Sequence, residues 1–110
     1  MIKAIRYEAT EIIIEEEKKG LFGKKNKTTT INSKSITEIE RVIENGELKS
    51  VNIHYNDYDI FFIEEYNIEG NISIIFEKIM EYRKETLFEI YETDFTSGNP
   101  EFTVILEKGK

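Results

Sequence analysis

Five of the chain's 15 basic residues fall within ten positions, in the stretch KKGLFGKKNK: Lys18, Lys19, Lys24, Lys25 and Lys27. They flank a two-glycine turn tipped by Leu21 and Phe22. Ammonium groups at this density suit anion capture. At an acidic membrane each would contribute about 1 kcal/mol, and the apolar tip would enter the headgroup layer. The plainer reading is structural. Gly20 and Gly23 permit a tight turn, Leu21 or Phe22 folds back on the rim of a sheet, and the lysines keep a strand edge soluble and unpaired. Charged edges are a routine guard against edge-to-edge aggregation, so the plainer reading carries more weight. A partner at this loop would be an acidic protein surface, a second copy of the chain included.

Other chemistry-bearing groups are sparse. The carboxylates Glu15-Glu16-Glu17, Asp57 with Asp59, and Glu64-Glu65 with Glu69 are close enough in sequence to suggest acid–base work or a hard cation. With 22 acids in 110 residues, such neighbours arise by chance. The Asn56–Asp59 turn departs from a calcium loop, with Phe61 at the third ligand position and no glycine after it. Glu64, Glu65 and Glu69 remain as a candidate acidic face for a partner. His54 is the only histidine and there is no cysteine. Thiol catalysis, multi-histidine metal binding and disulfides are therefore excluded. Gly23-Lys24 is not a phosphate loop, because Lys18 stands where the first glycine belongs and Lys25 where Ser or Thr is needed. Neither catalysis nor a cofactor nor a metal is expected.

The charge is polarised. Residues 1–34 carry a net +3 and residues 35–110 a net −10, within an overall −7. That balance argues against direct nucleic-acid binding, which needs a basic face, and in favour of protein partners or self-association. The scattered aromatics, Tyr55, Tyr58, Phe61, Phe62, Tyr66, Phe76, Tyr82, Phe88 and Tyr91, read as core and not as a base-stacking platform. No apolar run reaches the length of a membrane span and no signal-like start is present, so a cytoplasmic protein is expected.

The elements that would position these groups follow from an apolar stock of 19 Ile and 13 aromatics against two Ala, which favours sheet over helix. IKAIRY and TEIIIEEE read as strands, the second buried on both faces around Ile13. KNKTTTIN reads as a strand near an edge. Local rules then divide. Ser35 and Glu38 form a capping-box pattern ahead of Ile36, Ile39, Val42 and Ile43 at helical spacing, yet Asn45-Gly46 is a strong hairpin signal. Val51–Tyr55 and Ile60–Ile63 are strand-like around the turn at Asn56–Asp59. Ile72, Ile75, Phe76, Ile79 and Met80 make an amphipathic helix with Asn71 as its cap and Glu77, Lys78, Glu81 and Glu85 outward. Thr86–Thr93 and Glu101–Glu107 read as a closing hairpin across Thr96–Pro100. The class is mostly β or α+β, one domain over residues 1–110.

The run EIIIEEEKKGLFGKKNKTTTINSKSITEIERV, continued through the two short strands and the helix to Glu85, resembles bacterial pleckstrin-homology-like (PH-like) domains over residues 11–85. There a strand leads through a similar turn to a Thr/Ile strand, a meander and a closing helix. The resemblance implies a strand at Ile36–Glu44 and a bent antiparallel sheet closed by one helix over about 68–85. It leaves the hairpin of about 86–110 as an addition, and the segment before Glu11 as a second one placed to pair with it. In eukaryotic PH domains the loop between the first two strands binds phosphoinositides, a ligand the bacterial domains do not generally share. The implied function is a non-enzymatic binding and assembly module acting through protein contacts. The alternative is a small acidic inhibitor, from a mobile element or phage, that occupies the basic groove of a nucleic-acid-binding protein. Third comes a peripheral adaptor on anionic membrane through Lys18–Lys27.

Overall fold

Period-two apolar spacing dominates the chain, and its fold follows from that. The computed structural model describes residues 1–83 and 88–109, which form eight strands and one α-helix. Strands β1 (Ile2–Tyr7), β2 (Glu11–Gly20) and β3 (Gly23–Asn32) make an antiparallel sheet in that order. A 3₁₀ turn at Ser33–Ser35 leads into a meander of β4 (Ile36–Glu44), β5 (Glu47–Tyr55) and β6 (Asp59–Glu64). Helix α1 (Ile72–Tyr82) follows, then β7 (Glu89–Asp94) and β8 (Glu101–Leu106). These last two strands join the meander in a five-stranded sheet of order β6-β5-β4-β7-β8.

The class is thus mostly β with one helix, as composition implied. Several details differ from expectation. The β4–β7 pair is parallel, from Glu38↔Glu89 to Ile43↔Asp94, where an antiparallel sheet was expected. Its cause is the crossover: α1 carries the chain from β6 over the sheet, so β7 arrives running the same way as β4. The segment before Glu11 pairs with β2 and not with the terminal hairpin. The helix begins at Ile72, not near 68. Asn71 caps it by accepting from the Ser73 N–H at 2.8 Å, while Ile68 is held in a bridge with Ile2. The expected helix end at Glu85 and strand start at Thr86 lie outside the described residues.

Residues 36–44 form a strand. β5 and β7 both pair with β4, and Ile39 and Ile43 turn into the core, so tertiary pairing overrides the capping-box pattern. Ser35 instead donates to the Asn32 carbonyl at 2.7 Å within the 3₁₀ turn. Asn45 and Gly46 take φ of 53° and 77°, the geometry that an Asn-Gly hairpin demands.

One core joins the layers. Ile12, Ile14 and Ile31 of the first sheet meet Ile39, Val51, Ile53, Ile63 and Ile90 of the second, with Ile72, Phe76 and Ile79 of α1 beside them. Full burial of each such side chain stabilises by roughly 1.5–3 kcal/mol. In β2 only one face is buried, at Ile12 and Ile14, whereas Ile13 is half-buried. Arg41 holds Glu92 at 2.7 Å and lies 5.0 Å from the centre of the Phe76 ring, linking β4, β7 and α1. At the other end of α1, Arg83 donates to the Phe88 carbonyl at 2.7 Å and to the carbonyl of Glu107.

Candidate functional site

The basic stretch forms the end of the β2–β3 hairpin. Pairing continues through Glu17↔Asn26, Lys18↔Lys25, Lys19↔Lys24 and Gly20↔Gly23. Every residue from Lys18 to Thr28 is exposed, so this length of ladder stands off the body as an arm. Gly23 takes the positive φ of the reversal, 115°, which a side chain would strain. The tip does not fold back on the sheet rim: Leu21 and Phe22 are 97% and 99% exposed. The core stops at Ile14 and Ile31, leaving no apolar surface beneath the tip for these side chains to cover.

Strand alternation divides the lysines between two faces. Lys18, Lys25 and Lys27 continue the face that carries Ile12 and Ile14, and Lys19 and Lys24 occupy the other. Lys24 pairs with Glu17 at 3.2 Å, and that ammonium holds the Glu17 carboxyl below its ordinary range. Lys18 and Lys25 stand directly opposite, as do Lys19 and Lys24. Like charges so placed destabilise the ladder they sit on. An edge kept soluble needs charge but not facing pairs of one sign, whereas an anion site gains from them.

The three acids of the candidate partner face are separated. Glu65 pairs with Lys49 at 3.2 Å and Glu69 with Lys3 at 2.9 Å. Glu64 and Glu65 line one shallow depression with Val42, Lys49 and Tyr66; Glu69 lines another, beside Ile2 and Lys3. Glu64 accepts from the Tyr66 hydroxyl, which raises that phenol's pKa.

Sequence reasoning missed a surface that the register assembles. One face of the five-stranded sheet packs on the core; the other is open at its margins, while Asn52 and Thr93 at its centre are buried. Across it runs the row Val104, Tyr91, Glu40, Asn52, Phe62, flanked by Phe102, Thr93, Val42, Ser50, Glu64 on one side and Glu89, Glu38, His54, Ile60 on the other. Its margins are apolar and exposed: Ile60 42%, Phe62 54%, Phe102 71% and Val104 52%. Its centre is a hydrogen-bonded network. Glu40 accepts from Asn52 Nδ2 at 3.0 Å and from Thr93 Oγ1 at 2.6 Å, and Ser50 donates to Asn52 Oδ1 at 3.3 Å. Tyr91 Oη lies 3.5 Å from His54 Nε2, and His54 Nδ1 lies 3.8 Å from Glu38. Burial, then the nearby Glu40 and Glu38 carboxylates, push the Tyr91 phenol well above its usual value. The face is acidic and rimmed with aromatic and branched side chains. Alternation of Phe62, Glu64, Phe102 and Val104 along their strands was the signal available in sequence. What it could not supply was which strands stand side by side.

Among the described residues no group of three or more His, Asp or Glu is arranged to hold a metal ion, and no helix is long and apolar enough to cross a membrane. Neither a family model, nor a curated protein, nor a solved structure matches the chain.

Proposed function

We propose that the chain is a non-enzymatic, PH-like binding and assembly module that works through protein–protein contacts, with the basic hairpin arm as its contact element. The order of hairpin, meander and helix is the one that the PH-like resemblance of residues 11–85 implies, and it is this element order, not the sheet with its parallel β4–β7 pair, that favours the reading. The observation that carries it is the arm itself. Five lysines and an apolar Leu21-Phe22 tip are held by a regular ladder away from the core, where they add nothing to burial. Exposed apolar side chains ringed by charge are the composition of a contact surface.

The test is mass by light scattering at low and high salt, for the wild type and for a variant with Lys18, Lys19, Lys24, Lys25 and Lys27 all changed to Gln. The expected outcome is a wild-type assembly that weakens as salt screens the contact, and a variant that is monomeric throughout. An assembly indifferent to both changes would remove the arm from the contact. Sedimentation of a monomeric wild type with anionic vesicles would move the function to a membrane surface instead.

A further inference from the structure

We infer that the arm docks on the open face of the five-stranded sheet of a second copy of the chain. This rests on the arm being a contact element, and it names the surface the arm meets. Within one chain the arm cannot be docked there, because its tip and all its lysines are exposed. The two surfaces complement each other in sign. At the registered positions of the open face stand Glu38, Glu40, Glu64 and Glu89, with no Lys or Arg among them; Lys49, near one margin, is already held by Glu47 and Glu65. The arm carries no acid beyond Glu17, which Lys24 engages. Approach of the two is therefore favourable at long range and needs no new counter-charge.

They also match in apolar pattern and in length. Leu21 and Phe22 lead the arm, with lysines behind them on both of its faces. On the sheet, Phe102 and Val104 line the β8 margin and the acids lie inward. The ladder from Glu17↔Asn26 to Gly20↔Gly23 is about 10 Å long at roughly 3.3 Å per residue. Two strand spacings, from β8 to β4, are likewise about 10 Å. An arm laid across the face with its tip over β8 and its ladder running back toward β4 thus sets Leu21 and Phe22 on that apolar margin while its lysines come within reach of Glu40 and Glu89. Each chain offers one arm and one face, so reciprocal docking closes a two-fold dimer.

The chain has no cysteine, so introduced thiols report contact against no background. Phe22→Cys is mixed with Phe102→Cys at low ionic strength under mild oxidation, and separately with Glu81→Cys. The last places its thiol on the exposed side of α1, beside Glu77, and controls for attraction to acid alone. Val104→Cys serves as a second position on the face, and circular dichroism checks that each variant is folded. The expected result is disulfide-linked heterodimer forming about tenfold faster with Phe102→Cys or Val104→Cys than with Glu81→Cys, the difference vanishing at high salt. Equal rates at the three positions would overturn the inference. So would silent sheet-face thiols in a protein whose assembly still depends on the lysines, an outcome that keeps the arm as contact element and moves its receptor elsewhere. A chain monomeric at every salt concentration would remove both readings together.

Discussion

Tyr7 sits where the first sheet meets the helix, its ring 5.9 Å from that of Tyr82 and its hydroxyl 3.5 Å from the Ile75 carbonyl. Burial pushes its phenol up to about 12, because the phenolate would lose water without gaining a cation. In the unfolded chain a tyrosine ionises near 10. Below that pH both states hold the proton and nothing is lost. Between about 10 and about 12 the unfolded chain sheds its proton first, so stability falls as pH rises through this window and levels off above it. Urea midpoints measured from pH 9 to pH 12 are expected to fall less steeply for Tyr7→Phe than for the wild type. Tyr82 and Tyr91, both shifted upward mainly by burial, keep part of the slope in the variant. Parallel curves would mean that Tyr7 ionises as freely folded as unfolded.

At the scale of elements, the placement of β7 decides the architecture, and a side-chain network marks its register. Thr93 on β7 is buried and donates to Glu40 on β4, which in turn accepts from Asn52 on β5. Three adjacent strands are tied at one level by groups that no local propensity would put together. Thr93→Val keeps the shape and removes the hydroxyl, leaving one Glu40 oxygen without its short bond. The expected cost is about 1–2 kcal/mol, read as a lowered denaturant midpoint with an unchanged slope. A neutral substitution would mean that water replaces the donor. By contrast, α1 is legible from its own residues. Its apolar spacing and the Asn71 cap are local features, and Ile72, Phe76 and Ile79 are buried while Glu77, Lys78 and Glu81 are exposed.

At the scale of the molecule, the terminal hairpin and the core belong together. Phe88 and Ile90 are buried with the isoleucines of both sheets, and β7 lies inside the five-stranded sheet between β4 and β8. A chain ended after Arg83 would expose one side of β4 and lose those side chains from the core. Circular dichroism and a thermal melt of that truncation are expected to show no cooperative transition. A cooperative melt would establish that the chain up to α1 folds without β7. The polarised charge acts at this scale too. The arm projects on one side of the molecule, and the acidic residues after position 35 are spread over the second sheet and the helix. The proposed attraction between copies, and its expected loss in salt, would follow from that separation rather than from net charge.

Composition and local pattern by themselves determined the sheet-rich class, the approximate limits of most strands, the Asn45-Gly46 and Gly20–Gly23 turns, the capped helix and the exposed basic stretch, because each depends on residues within a few positions of one another. They left residues 36–44 divided, since a capping box and an Asn-Gly turn are both local signals and neither outranks the other. Pairing with β5 and β7 settled it, and β7 lies far along the chain. The same holds for the candidate surfaces. Lysines adjacent in sequence stayed adjacent on the arm, although alternation parted them between its faces. Glu38, Glu40, Glu64, Glu89, Phe62 and Phe102 came onto one face only when five strands took their order and register. Strand order is a long-range property, chosen by burial of a common core, and no window of sequence contains it.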